Sequence, residues 1–211
     1  MSFLIRSCLF CFAVFPYPVT GSSQEYHIDL TGENQVRFVS DAPLEDFQGV
    51  TTRIDGFVFL AGEGLAGVTD LSLSEFHFEV DLASLDTGLG LRNRHMRENY
   101  LETGRFPFAS FSGRILELRE REGRVFLVKA GGDLNIHGVA RTREIDCRIS
   151  VGERAHPADG QGGLRVECAF QVALSDHDIP IPKLMFMKIN DIVELDLGFS
   201  LVPVGKRGAE E

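Results

Sequence analysis

Histidine is the residue type best suited to bind a metal or to move a proton near neutral pH, and the chain has six of them. No two lie at the i, i+2 or i, i+4 spacing that would place them together on one strand or helix. His177 stands between Asp176 and Asp178 in a segment that reads as a solvated loop. Because a metal site needs three or four converging ligands, the sequence predicts none.

Signatures of nucleophilic or cofactor-dependent catalysis are missing from the sequence. There is no Gly-x-Ser-x-Gly turn, and the glycine run at 62–67 (GEGLAG) leads into an alternating segment instead of the helix that a dinucleotide site requires. The run therefore predicts a hairpin loop. A lipid-modifying enzyme stays a minor alternative, with His95 beside Glu98 or Arg94 as its reactive group. We expect no catalytic residues and no cofactor.

The four cysteines form two pairs of different character. Cys8 and Cys11 lie in an apolar N-terminal stretch with no strand before it, which argues against a redox motif. Cys147 and Cys168 fall on two alternating segments that match in one register. That register makes the pairs Val151–Leu164, Ile149–Val166, Cys147–Cys168 and Ile145–Phe170, with Arg148–Glu167 on the other face. Facing cysteines in an exported chain predict either a cross-strand disulfide or two buried thiols.

Two-residue alternation of apolar and polar side chains dominates from Glu25 onward and predicts half-buried strands. It is clearest at 75–82 (EFHFEVDL), where every even residue is apolar. The eight predicted strands cover residues 26–40, 50–60, 75–82, 109–118, 124–136, 143–151, 164–174 and 193–201. Such strands form either a two-sheet sandwich or a closed antiparallel barrel. Closure removes exposed edges, so an all-β, eight-stranded antiparallel barrel is favoured.

Residues 88–105 (GLGLRNRHMRENYLETGR) lack alternation and predict a short helical crossover between two strands. Asp86 and Thr87 are its predicted caps, and Arg94 and Glu98 are predicted to pair one turn apart. The segment is locally basic, with four arginines against two glutamates. The predicted contacts for a polar lipid head group are Arg92, Arg94, His95 and Arg97. The alternative is a solvated helix whose charges pair with one another.

The inward faces of the predicted strands are apolar, in a chain with 17 Phe, 3 Tyr and no Trp. Phe needs no hydrogen-bond partner, so this composition fits a dry interior. An eight-stranded barrel is about wide enough either to be filled by side chains or to hold one small ligand, and both alternatives stay open. The predicted ligand-binding lining is Phe76, Phe78, Val80, Phe111, Phe126, Val128, Phe170, Val172, Leu195, Leu197 and Phe199.

Charge and the chain ends indicate partners and location. The 31 acidic and 21 basic residues give a net charge of −10, so no nucleic-acid partner is expected. Residues 1–23 combine Arg6, a short apolar run and a Pro-Tyr-Pro break, which predicts a cleaved secretory signal and no integral membrane span. We expect a periplasmic or secreted protein with one domain at 24–204 and a flexible tail at 205–211. The oligomeric state stays open, with a homodimer as one alternative.

Six stretches of the sequence, in this order, resemble the signature of the YceI-like family of exported lipocalin-like proteins. They are residues 47–49 (FQG), 84–88 (SLDTG), 92–97 (RNRHMR), 106–111 (FPFASF), 132–139 (GDLNIHGV) and 191–195 (DIVEL). Two positions depart from the family pattern: Asn93-Arg94 stands before the histidine, and Asn135 replaces a commoner hydroxyl residue.

The resemblance spans about Tyr26 to Val202. It implies an extended lipocalin-like barrel with an apolar tunnel that binds a polyisoprenoid or an isoprenoid quinone in the periplasm. The expected function is therefore binding and storage or transport of an isoprenoid-type lipid. The alternative is a filled barrel that serves as a stress-related or structural binding module.

Overall fold

The structure, a computed structural model, describes residues 22–40, 47–152, 162–181, 183–184, 187–188 and 190–204. Its strands are β1 (Ser23–Ile28), β2 (Gln35–Ser40), β3 (Phe47–Thr51), β4 (Ile54–Glu63), β5 (Gly67–Val68), β6 (Glu75–Asp81), β7 (Phe108–Arg121), β8 (Val125–Ile136), β9 (Val139–Val151), β10 (Leu164–Ala173), β11 (Lys183–Leu184), β12 (Met187–Lys188) and β13 (Ile192–Pro203). Strand β5 folds back on β4 at the glycine run 62–67, which confirms the predicted hairpin loop.

An antiparallel barrel closes in the order β1-β4-β6-β7-β8-β9-β10-β13, with β13 returning to β1 through the pairs Ile28–Leu201 and Tyr26–Pro203. Strand β2 lies on the same flank of β13 as β1, and β3 pairs with β2 as β4 pairs with β1. The eight-stranded lipocalin-like barrel is thus confirmed, and the sandwich alternative is wrong. Two of the eight predicted strands, 26–40 and 50–60, each consist of two shorter pieces.

The break between β1 and β2 has a polar origin. The Asn34 side-chain amide donates to the Asp29 carbonyl at 2.7 Å and accepts from the Ser200 backbone N–H at 3.0 Å. These bonds replace the ladder contacts that a continuous strand would make with β13. The pairing partner Ser200 lies far away in the sequence, so alternation alone carries no sign of the break.

The crossover is shorter than predicted. Helix α1 (Gly90–His95) widens into a π-helical turn at Met96–Tyr100, and an irregular turn leads from there to β7. The predicted Arg94–Glu98 ion pair is not formed, because the widened turn shifts residues four apart out of alignment. Three short 3₁₀ turns complete the helical elements of the described residues: Leu71–Leu73, Leu82–Ser84 and Leu174–His177. None of the helices in these residues is long and apolar enough to cross a bilayer.

The β9–β10 hairpin follows the predicted register only in part. Leu164–Val151, Val166–Ile149 and Cys168–Cys147 pair as expected, whereas the predicted Ile145–Phe170 pair is wrong. From that point β9 pairs only with β8, and β10 pairs only with β13. The barrel is therefore joined at one end of this hairpin and split at the other.

Candidate ligand-binding site

The barrel encloses an apolar cavity of about 990 Å³. Inward side chains of the strands form its wall, and helix α1 with the turn after it forms one end. Small-molecule sites usually measure roughly 300–1,000 Å³. The side chains therefore leave room for a ligand, and the interior is not the filled core of the alternative interpretation.

Ten of the eleven side chains predicted to line the interior lie on this wall. Phe126 does not. It is buried where β8 begins, in the packed core that closes the far end of the barrel, because the cavity does not extend along the whole strand. Sequence reasoning missed further wall residues that fall on the interrupted strands, among them Val36, Phe38, Ile54 and Val58. Their weaker alternation reflects the breaks described above.

The two ends of the cavity differ in exposure. At the far end, which we call the floor, the wall residues Leu65, Ile115 and Leu201 are buried and belong to the main apolar core. At the near end, which we call the mouth, the wall residues Leu89 and Leu91 are 58% and 65% exposed. Among the described residues the cavity wall reaches solvent at the mouth, which offers a ligand an entrance there.

The predicted head-group residues divide between two faces of the crossover helix. Arg92 and His95 lie on the cavity wall together with Leu91 and Met96, as expected for positions three and four apart. Arg94 lies off the cavity wall, on the opposite side of the helix from these residues. Arg97 also lies off the wall and donates to the Leu85 carbonyl at 2.9 Å, so it holds the mouth loop.

Asn93 organises the loop before the helix, a role that sequence reasoning missed. Its carbonyl oxygen accepts from the Thr87 hydroxyl at 2.6 Å and from the Thr87 N–H at 2.8 Å, and its amide donates to Asp86 at 2.7 Å. Asp86 and Thr87 thus bind Asn93 instead of capping the helix, which has no side-chain cap. The hydrogen bonds from Asn93 and from the Gly88 backbone amide lower the pKa of Asp86.

The sequence matches the YceI-like domain over residues 26–201, most of its length. The chain belongs to the YceI-like family. No curated protein matches it.

Three solved structures share the fold at low sequence identity. BcnA from Burkholderia cenocepacia is 16% identical with a TM-score of 0.60, over 82% of this chain and 98% of that one. A polyisoprenoid-binding domain from Saccharophagus degradans, implicated in plant cell wall breakdown, is 18% identical with a TM-score of 0.62, over 83% and 97%. The Campylobacter jejuni YceI protein is 15% identical with a TM-score of 0.55, over 78% and 87%.

Several YceI-like signature stretches meet at the mouth of the cavity. Residues 84–88 form the loop before α1, and residues 92–97 form the helix with the start of its π turn. The 132–139 stretch turns at His137 and Gly138, both with positive φ (55° and 76°), as in a two-residue hairpin turn. The family signature therefore maps mainly to one end of the barrel.

The Cys147–Cys168 pair lies on the cavity wall as a disulfide.

Cys8 and Cys11, with the rest of residues 1–21, lie outside the described residues, as does the predicted tail at 205–211. Strand β1 begins at Ser23. The predicted signal boundary at residue 23 stays a prediction.

A short strap at Leu174–Ile179 covers the split between β9 and β10. Its His177 is 0% exposed, so the predicted solvated loop is wrong at this residue. The His177 Nδ1 donates to the Val139 carbonyl at 2.9 Å, and Arg143 of β9 pairs with Asp176 at 3.4 Å. The strap thus supplies side-chain contacts where the strands do not pair, and its Leu174 and Ile179 complete the cavity wall.

Groups that could bind a metal ion do not converge within the described residues. No three His, Cys, Asp or Glu side chains come together there as metal ligands. His95 is exposed at the mouth and forms no side-chain hydrogen bond or ion pair with Glu98 or Arg94.

Proposed function

We propose that this protein binds a long apolar lipid of the isoprenoid type in the barrel interior and stores or carries it. The observation that supports this most is the cavity of about 990 Å³, whose wall is built from Phe, Leu, Ile and Val side chains. A structural relative is described as a polyisoprenoid-binding domain, which is consistent with such a ligand. We propose a binding role and not a catalytic one.

Affinity in such a site depends on how much of the chain leaves water. Burial is worth ~0.8 kcal/mol per CH₂, which is about fourfold in affinity. Binding should therefore strengthen steeply with chain length and level off once the chain fills the cavity. Specificity among isoprenoids then depends on the dimensions of the cavity.

A series of polyprenols of increasing length, measured by native mass spectrometry and by competition with a fluorescent polyene, tests this proposal. We expect one lipid per barrel and a plateau in affinity. Ala130→Phe fills part of the wall and should shift the plateau to shorter chains. Ala169→Phe, on an exposed outward position of β10, is the matched control. Folded protein that binds no polyprenol of any length would contradict the proposal.

We also propose that the protein is exported to the periplasm or secreted. The N-terminal segment with its short apolar run supports this, as does the Cys147–Cys168 disulfide, because disulfides persist in oxidising compartments. Intact mass spectrometry of protein from an osmotic-shock fraction should show a chain cleaved near residue 23. Recovery of the full-length chain only from cytoplasm would contradict export.

A further inference from the structure

Polar side chains on the cavity wall are concentrated at the mouth. They are Ser40 on β2, Arg92 and His95 on helix α1, Tyr100 on the π turn, and Ser110 on β7. The floor half of the wall is apolar. Two of the five, Arg92 and Ser40, stand out because the described residues leave part of the hydrogen-bonding capacity of Arg92, and all of that of the Ser40 hydroxyl, unused.

Arg92 is held in place without a counter-charge. Its Nε donates to the Thr87 hydroxyl at 2.9 Å, its Nη2 donates to the Thr87 carbonyl at 2.7 Å, and its guanidinium carbon lies 4.9 Å from the centre of the Phe47 ring. No carboxylate of the described residues forms an ion pair with it. A guanidinium has five N–H donors, so most of them remain for a ligand. The result, within the part of the chain that the structure describes, is a fixed positive charge without a carboxylate partner at the edge of an apolar cavity.

Ser40 adds a second unused donor beside the same ring. It lies directly opposite Phe47 in the β2–β3 ladder, and it is 2% exposed. Its hydroxyl has no hydrogen-bond partner among the described residues. A buried hydroxyl without a partner is unfavourable, and an acceptor on a ligand would remove that cost. Phe47 therefore has the guanidinium of Arg92 over its ring and Ser40 opposite it in the strand ladder.

We propose that Arg92 and Ser40 form an anion-binding subsite at the mouth, which receives the acidic head group of the lipid whose tail occupies the barrel. The inference rests on the proposed function and narrows its ligand to lipids ending in a phosphate or a carboxylate. Two oxygens of such a group match the parallel N–H donors of a guanidinium, and a further acceptor position is available to the Ser40 hydroxyl. A neutral alcohol or a quinone carbonyl leaves the charge of Arg92 uncompensated.

Three probes with the same tail separate head-group from tail binding: geranylgeraniol, geranylgeranoic acid and geranylgeranyl monophosphate. We expect the acid, the phosphate or both to bind the wild-type protein at least tenfold more tightly than the alcohol. The preference should weaken as salt is raised. Acid and phosphate are two sources of the same chemistry, and their relative affinities show which head group the subsite favours.

Matched variants identify the residues responsible. Arg92→Gln should bring the ratio of anionic-probe to alcohol affinity close to one, and Ser40→Ala should reduce this ratio several-fold. Arg92→Lys keeps the charge and should retain part of the preference if the loop folds. Arg94→Gln, off the cavity wall, should leave the affinity ratio unchanged.

Equal binding of all three probes, or a preference that survives Arg92→Gln, would overturn the subsite alone. Absence of binding by all three probes would overturn the proposed function with it.

Discussion

The floor and the mouth of the barrel are built on different principles. At the floor β9 pairs with β10, Leu60 is 0% exposed, and the side chains pack into one apolar cluster. At the mouth the β9–β10 pairing ends, a strap with a buried histidine replaces it, and polar side chains reach the cavity. We therefore expect the floor to provide stability and the mouth, under the proposed function, to provide access and recognition. Substitutions at the two ends should differ accordingly.

Leucines at the two ends give the largest expected contrast. Leu60→Ala should lower the free energy of unfolding by about 2–5 kcal/mol, because it leaves a hole in a fully packed region. Leu91→Ala removes an exposed rim side chain and should change it by less than about 0.5 kcal/mol. Urea unfolding of both variants measures the difference. Equal destabilisation would show that the floor is not the stability core.

The disulfide lies where the paired part of β9–β10 gives way to the split. Its cysteines are 21 residues apart, so the chain-entropy estimate of its contribution is about 3 kcal/mol. The double variant Cys147→Ala/Cys168→Ala should lose most of that amount in urea unfolding. A thiol titration of the unfolded wild-type protein without reductant is the control. Two reactive thiols from this pair would mean that the bridge does not form.

His177 tests whether the strap holds the split end together. His177→Ala leaves the Val139 carbonyl without its donor and should cost about 1–3 kcal/mol. His77→Ala, at a half-exposed position on the outer face of β6, should cost less than about 0.5 kcal/mol. Hydrogen exchange should also rise in β9 at residues 139–146 in the first variant only. Unchanged protection there would show that the strap is dispensable.

The smallest expected effect concerns acid stability at the mouth. Asp86 has a pKa lowered by hydrogen bonds from Asn93 and Gly88, so its contribution to stability is present above its unfolded pKa of about 4 and is lost as pH falls through the folded value. Asp86→Asn lacks this pH-dependent contribution to stability. The difference in urea midpoint between the two proteins should be largest above pH ~4 and should shrink below it. A constant difference would mean that Asp86 does not titrate in this way.

The barrel could be predicted from sequence because alternation records one-sided burial directly. Residues 75–81 and 193–201 lie on barrel strands as expected, and all but one of the predicted lining residues reach the cavity. The breaks could not be predicted, since Asn34 acts on a backbone group of a distant strand. Likewise, the sequence between Asp176 and Asp178 reads as polar, and only the split between the strands explains why His177 is buried there.

At the mouth, residue type was easier to predict than orientation. The basic character of 88–105 indicated a head-group site, but Arg94 and Arg97 turn away from the cavity and only Arg92 and His95 reach it. The π turn after α1 determines these directions, and nothing in the alternation or charge pattern signals it. Ser40 was missed because one hydroxyl at the end of a strand carries no signal in the sequence.

Lipid extraction from protein purified without detergent from its native compartment tests the central claim most directly. Mass spectrometry of the organic extract should find an isoprenoid-type lipid near one equivalent per barrel. Phe78→Asp, which places a charge on the cavity wall, should abolish it, whereas Phe57→Asp on the outer face should not. A folded wild-type barrel that repeatedly yields no lipid and takes up no added polyprenol or prenyl acid would contradict the account.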